Sequence, residues 1–173
     1  MPEPPFPLRR LGPDDAAAFR ALRLAMFARH PGEFRYTPAD EAATSLAATA
    51  ERLATSYVVG AFHGDAPGAP LVGVAGLTRQ TGEKLRHTAL LWGMYVAEPA
   101  RGTGLGDRLV ADVLAHAAQE GIARVVLTVM ANNARAERLY ARWGFARYGV
   151  DPGAVLVDGV PRDEALMVRH LRA

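Results

Sequence analysis

Three glycines in six residues, Arg101-Gly102-Thr103-Gly104-Leu105-Gly106, form the stretch of this chain best suited to hold a ligand. Glycine lets the backbone approach a ligand closely and aim successive N–H groups one way. The stretch follows an apolar run and opens an amphipathic one, so those donors stand at a helix N-terminus, where the macrodipole also favours an anion. Arg101 adds a full positive charge. Phosphate or pyrophosphate is the natural partner. A nucleoside-triphosphate loop needs Lys and Ser or Thr after its last glycine, but Asp107 and Arg108 follow Gly106. A dinucleotide loop needs glycine or alanine two residues beyond its second glycine, and Asp107 occupies that frame. A plain turn that caps a helix needs no ligand at all.

A second constellation lies about thirty residues on: Asn133-Ala134-Arg135-Ala136-Glu137-Arg138-Leu139-Tyr140, then Gly144-Phe145. Tyr140 shares a helical face with Ala136 and Trp143, so its phenol is either a core group or a proton donor at a cleft. Asn133 suits a helix N-cap. Glu83 and His87 flank the start of an apolar strand; either is a candidate base, His87 through its ordinary pKa, or a solvated turn residue. Trp92 reads as core, and Arg108 and Arg138 as solvated helix faces that could also reach phosphates. The five histidines, His30, His63, His87, His116 and His170, are scattered without H-x-x-x-H spacing or a carboxylate cluster, so no metal site is expected. The absence of cysteine excludes a thiol nucleophile and disulfides, and no G-x-S-x-G elbow is present.

The elements that must position these residues follow from periodicity and punctuation. Residues 6–11 read as a strand, Gly12-Pro13-Asp14-Asp15 as a helix start, and Phe19, Leu22, Met26 and Phe27 as the apolar face of a helix ending before Pro31-Gly32. Thr37-Pro38-Ala39-Asp40 caps a second helix with Ala42, Leu46, Ala50 and Leu53 inward. Strands follow over 57–62 and 71–81 around a turn, and over 88–96, where near-continuous apolarity predicts a strand covered on both faces. The glycine loop leads into a helix over 105–119. A doubly buried strand over 124–130, a helix over 134–143, and strands over 145–150 and 165–171 complete the series. The strand–helix–strand unit from Thr88 to Met130 predicts a parallel pair. The order is β-α-α-β-β-β-α-β-α-β-β: an α/β (α+β) class fold with a mixed, mostly antiparallel sheet, one parallel pair and about four helices.

A chain of 173 residues without repeats or linkers suits one domain over residues 1–173. Twenty basic against 18 acidic residues leave a net charge of +2, too small to argue for nucleic acid. Met1-Pro2-Glu3-Pro4-Pro5 lacks the basic-then-apolar pattern of a signal peptide, and no apolar run reaches the ~20 residues that span a bilayer. A cytoplasmic protein without a membrane partner is expected.

Together, Arg101, Gly104 and Gly106 fit the pattern Q/R-x-x-G-x-G/A. The Asn133…Leu139-Tyr140…Gly144-Phe145 run resembles N-x-x-A-x-x-L-Y-x-x-x-G-F. Both motifs are similar to those of the GNAT (Gcn5-related N-acetyltransferase) superfamily, in the same order and on the same kinds of element. The resemblance is good over about 88–150 and rests on element order alone in the N-terminal half. It implies direct transfer of acetyl from acetyl-CoA, the cosubstrate, to an amine. Arg101, Gly102, Thr103, Gly104, Leu105 and Gly106 would hold the pyrophosphate. Met94, Tyr95 and Val96, on a strand splayed from its parallel neighbour, would line the pantetheine arm with Asn133 and Ala136. Tyr140 would protonate the departing thiolate, Glu83 or His87 would take the proton from the amine, and the loop with Glu33, Arg35 and Tyr36 would border the acceptor. The acceptor is a small-molecule or peptide amine, a homodimer is implied by analogy, and no metal is involved. A non-catalytic module that binds acetyl-CoA is the rival reading.

Overall fold

The computed structural model describes residues 6–171. The expectation placed on Met1 to Pro5 therefore lies outside the described residues. Along the chain run β1 (Leu8–Arg10), α1 (Ala16–Arg29), α2 (Pro38–Ala43), α3 (Leu46–Thr55), β2 (Tyr57–Phe62), β3 (Leu71–Arg79), β4 (Thr88–Val96), α4 (Leu105–Gln119), β5 (Arg124–Met130), α5 (Ala134–Arg142), β6 (Ala146–Val157) and β7 (Val160–His170). The strands join in one sheet of order β1-β2-β3-β4-β5-β7-β6. Every neighbouring pair is antiparallel except β4 and β5, which is the mixed sheet with one parallel pair expected from the sequence.

Alternation along the strands sends side chains to two cores. On one face α4 buries Leu105, Leu109, Val110, Val113 and Leu114 against Val59, Ala75 and Val125, with Tyr140 and Phe145 beside them. On the other, α1 and α3 bury Phe19, Met26, Phe27 and Leu53 against Val58, Val74 and Tyr95. Gly73 admits this packing on the α4 side: a Cβ there would stand 3.2 Å from both Leu105 and Leu109.

Several boundaries differ from the sequence reading. The expected second helix is two, α2 and α3, which makes five α-helices. Thr44 leaves helical geometry at ψ 124°, and the Ser45 hydroxyl accepts from Ala48 N–H at 3.1 Å to begin α3. Hydroxyl capping competes with the helix interior here. The break leaves Ala42 exposed on α2, while in α3 Thr49 and Leu53 face inward and Leu46, its first residue, is exposed. The last two strands are far longer than expected. Pro152-Gly153 has the residue types of a turn but sits in the edge strand β6, where a bulge between Asp151 and Val155 absorbs it. The real turn is Asp158-Gly159, with φ of 51° and 76°, as a two-residue hairpin loop requires. Finally, β1 and β3 are trimmed at their ends, and Trp143 is the C-cap of α5 rather than its last turn.

The parallel pairing of β4 with β5 lasts only from Thr88–Arg124 to Leu90–Val126. Past it, β4 stays on β3 and β5 stays on β7, so the two strands diverge and their facing edges lose their ladder. Three residues beyond the last parallel pair, β4 carries a bulge. Opposite β3, Tyr95 pairs with Val74 and Trp92 with Gly76, so Gly93 and Met94 together face Ala75 alone. Gly93 has φ +64°, a conformation suited to glycine. One extra residue also reverses the alternation: Met94 and Val96 pack on the α4 side and Tyr95 on the α1 side.

Candidate active site

Two cavities meet where β4 and β5 part. The first, about 490 Å³, runs from the splayed strands to the glycine loop and α5; the second, about 670 Å³, lies between the splayed strands, the loop after α1, and α2. Glu33, Phe34, Trp92, Gly93, Thr128 and Val129 border both.

The glycine loop leaves β4 and turns into α4. Gly102 and Gly104 take φ of +77° and +80°, and Gly104 is the N-cap of α4. Thr103 Oγ1 donates to Ala100 carbonyl at 2.7 Å and closes the turn. Within the described residues, the N–H groups of Gly102 through Gly106 donate to no protein acceptor. They are unsatisfied donors at a helix start, a concavity for anions. Gly106 plays another part from its neighbours. It is helical, and a Cβ there would touch Leu139 at 3.5 Å and Met94 at 3.6 Å, so it sets the spacing of α4, α5 and β4. Asp107, which breaks the dinucleotide pattern, is structural: it accepts from Arg142 at 3.0 Å and from Trp143 Nε1 at 2.9 Å. The Arg142 bond holds its carboxyl below the usual range; burial opposes this, and the Trp143 bond adds a smaller lowering.

Arg101 borders the first cavity, but its guanidinium is already engaged. Its Nε donates to Val96 carbonyl at 3.0 Å and its Nη2 to His30 Nε2 at 2.9 Å. Arginine can only donate, so Nε2 accepts and Nδ1–H faces Glu33, 3.3 Å away. This chain of contacts fastens the loop after α1 to the loop before α4.

Met94, Tyr95, Val96, Leu105, Asn133, Ala136 and Tyr140 all border the first cavity. Asn133 also caps α5, its side-chain oxygen accepting from Ala136 N–H at 3.1 Å. Tyr140 is 6% exposed and packs edge-on to Phe145. Burial, with no hydrogen bond or charge contributing, pushes its phenol well above the ordinary value of 10.0, so it stays protonated across the physiological range.

Glu83 and His87 are not brought to this place. Both are exposed in the turn before β4 and border neither cavity. The glycine loop follows the other end of a nine-residue strand, roughly 30 Å away at ~3.3 Å per residue. Strand direction is the reason: a residue flanking the start of β4 is at the wrong end. Arg108, too, is elsewhere, donating to Phe6 carbonyl at 2.9 Å. Arg138 does border the first cavity, as do Arg135 and Arg142 on the same stripe of α5.

The second cavity holds the expected loop residues and several that sequence reasoning missed. Arg35 is paired with buried Glu164, Nε to Oε1 at 2.7 Å and Nη2 to Oε2, and Tyr36 is exposed at the rim. Trp92, read as core, borders both cavities; its Nε1 donates to Thr78 Oγ1 at 2.8 Å. Gly76 permits this, since a Cβ there would lie 2.5 Å from the indole. The missed residues are Arg23 and Glu41, a buried pair with Nε to Oε2 at 3.0 Å. The signal was present: Arg23 interrupts the stripe of Phe19, Met26 and Phe27 at the spacing of a core position.

Among the described residues, no group of three or more His, Cys, Asp or Glu is placed to hold a metal ion. No helix among them is long and apolar enough to cross a membrane.

A model of the acetyltransferase (GNAT) family matches residues 19–145. A mycothiol acetyltransferase of Renibacterium salmoninarum is 31% identical over 157 residues, covering 83% of this chain and 41% of that one. The chain spans less than half the length of the curated relatives it matches. Among solved structures, a GNAT-family acetyltransferase from Streptococcus pneumoniae superposes with TM-score 0.84 at 21% identity, covering 96% of this chain and 99% of that one. A protein from Salmonella typhimurium, solved with its cofactor acetyl-CoA, superposes at 0.77 and 20% identity, with coverage of 97% and 95%. At these identities the superpositions show the fold.

Proposed function

Since the chain belongs to the acetyltransferase (GNAT) family, we propose that it transfers an acetyl group from acetyl-CoA to a primary amine by direct attack in a ternary complex. The observation that carries this reading is the pairing of a donor-rich loop with a splayed strand pair on one continuous cleft. The unsatisfied N–H groups from Gly102 to Gly106 suit the pyrophosphate. The unpaired edge of β4 near Met94 and Val96 suits the amides of the pantetheine arm, with Asn133 and Ala136 on the opposite wall. Arg101 supports the loop through Val96 and His30, and its charge adds to the field there.

When bound, acetyl-CoA supplies an activated thioester, which leaves the protein proximity and proton handling. The amine nitrogen forms the new C–N bond as the C–S bond breaks. Tyr140, protonated and facing the first cavity, donates to the departing sulfur. A backbone N–H on the β4 edge is suited to the carbonyl oxygen. The proton of the attacking amine needs an acceptor. Glu33 borders both cavities, and its carboxylate takes the role expected of Glu83 or His87. Exposed Tyr148, Val150, Leu156 and Val160 on β6 and β7 support self-association into a homodimer, which sedimentation at micromolar concentration reads directly.

The test has two parts. Calorimetry with acetyl-CoA, against ATP and NAD, is expected to give saturable micromolar binding of acetyl-CoA alone; absence of binding overturns the cofactor assignment. Thiol release in an amine panel, free of cysteine background, separates an enzyme from a binding module. Tyr140→Phe is expected to lower kcat by roughly 100- to 10,000-fold, the range of general acid catalysis, with acetyl-CoA affinity within about twofold. An equally active variant removes Tyr140 as the acid.

A further inference from the structure

The second cavity contains a cation that the protein only half satisfies. Arg23 is 5% exposed and lies on α1 between Phe19 and Phe27, its guanidinium carbon 4.9 Å from the Phe27 ring centre. Its Nε is held by Glu41. Among the described residues its two Nη groups find no acceptor and, unlike the sealed and unpartnered Glu41 Oε1, remain open to the cavity that Arg23 borders. A buried guanidinium has five N–H donors and a large desolvation cost, and one carboxylate oxygen offsets little of it. Burial accordingly lowers the Arg23 pKa, Glu41 opposing this in part, and Arg52 lies close enough to lower it further. Arg52 borders the same cavity. The other acids there are engaged: Glu164 by Arg35, Glu33 by His30, and Asp40 by the N–H and hydroxyl of Thr37. Glu33 and Asp40 keep their charge, since their partners are neutral; the charged side chains that act on Arg23 itself are Glu41 and Arg52.

We infer that this pocket takes an amine that carries a carboxylate close to its nitrogen, an α-amino acid, with the carboxylate on the open Nη face of Arg23. This deepens the acetyl-transfer reading and rests on it. Position fixes the closeness. Nη1 of Arg23 is 3.4 Å from where a Cβ on Gly93 would stand, and Gly93 borders both cavities. An anion seated there is beside the mouth of the cofactor cleft, so the amine that enters the cleft is a few bonds from it. The remaining wall, Met26, Phe27, Phe34 and Trp92, suits an apolar side chain. A guanidinium is the group that binds a carboxylate through two parallel hydrogen bonds.

The experiment measures binding and turnover separately. Alanine, leucine, phenylalanine, glutamate and lysine, each against its carboxamide, are titrated by calorimetry into the intact protein saturated with CoA. They are then assayed for thiol release with acetyl-CoA. At least one acid is expected to bind and react at least tenfold better than its amide. Arg23→Lys, which keeps a cation beside Glu41, is expected to raise KM for that acid at least tenfold. It should lower kcat/KM for the acid at least fivefold more than for the amide and leave acetyl-CoA affinity within about threefold. Should it fold poorly, the neutral double variant Arg23→Gln/Glu41→Gln is expected to erase the preference for the acid. No acid preferred over its amide, or a preference unchanged in both variants, overturns the inference. An acid bound in preference but never acetylated leaves the recognition standing and overturns the acetyl-transfer reading beneath it.

Discussion

Gly104 and Gly106 stand two residues apart in one loop, and alanine at each should have opposite effects. Gly104 holds φ +80° as the N-cap of α4, with nothing within 4 Å of where a Cβ would stand. Alanine there meets no clash, and its whole cost is the left-handed backbone, about 1–2 kcal/mol. For a chain of this size each kcal/mol moves Tm by roughly 2–4 °C, so Gly104→Ala should melt about 2–8 °C lower. Gly106 is already helical, and its Cβ would make ordinary contacts at 3.5 Å with Leu139 and 3.6 Å with Met94. Gly106→Ala gains up to about 1 kcal/mol of helix propensity and should melt at or above the parent temperature. Acetyl-CoA affinity should divide the same way. Strain at Gly104 is relieved by turning the loop, which misdirects at least one N–H from the pyrophosphate. A hydrogen bond to a charged group is worth roughly 1.5–3 kcal/mol, so affinity should fall about 10- to 100-fold; Gly106→Ala should stay within a few-fold. Thermal unfolding by circular dichroism and calorimetry read both quantities. Equal melting temperatures for the two variants, or intact affinity in Gly104→Ala, would refute the argument that backbone conformation rather than space makes Gly104 necessary.

Two further outcomes test the frame around the cleft. Gly76→Ala puts a carbon 2.5 Å from the Trp92 indole, and overpacking of this kind costs about 1–3 kcal/mol; because Trp92 borders both cavities, amine KM should rise as well, and a variant stable and kinetically like the parent would show that the indole moves freely. Asp107 has its folded-state pKa depressed, chiefly by Arg142, so its contribution is present above the unfolded value of about 3.9 and is lost as pH falls through the folded one. With its side chain 38% exposed, that contribution is held below about 1 kcal/mol; Asp107→Asn should therefore melt slightly below the parent at pH 7 and converge with it below pH 4, and a gap that persists in acid would rule out the ion pair as its source.

The second half of the fold was legible because its signals are local. β4, α4 and β5 begin and end where the apolar runs do, and Asn133 caps α5 as its residue type suggests. What escaped depended on contacts distant in sequence. Thr44 and Ser45 look like ordinary helical residues, yet Thr44 turns extended and Ser45 caps a new helix that packs Leu53 against the sheet. Pro152 is tolerated because β6 has a neighbour on one side alone. For the site, Met94, Gly102, Gly104, Asn133 and Tyr140 border one cavity, whereas Glu83 and His87, near β4 in the chain, flank its other end. Arg23 and Glu41 are 18 residues apart on different helices, and neither belongs to a motif. A charge on an apolar stripe was their one advance notice.

Much of this arrangement depends on the single extra residue in β4. Without the bulge at Gly93, strict alternation would point Met94 and Val96 toward α1 and Tyr95 toward α4. Tyr95 could then no longer pack on His30 and Phe34, as it does, and the link from the loop after α1 through His30 to Arg101 would lose its base. The bulge lies on the stretch of β4 that has already left β5 and carries a free edge of backbone donors and acceptors. Its glycine is also the wall against which Arg23 Nη1 rests. A side chain at that position would cost left-handed strain and would intrude between the guanidinium and the cleft. The first cavity, its meeting with the second and Arg23 thus all adjoin one backbone defect, so relaxation of the bulge should be felt in both cavities at once.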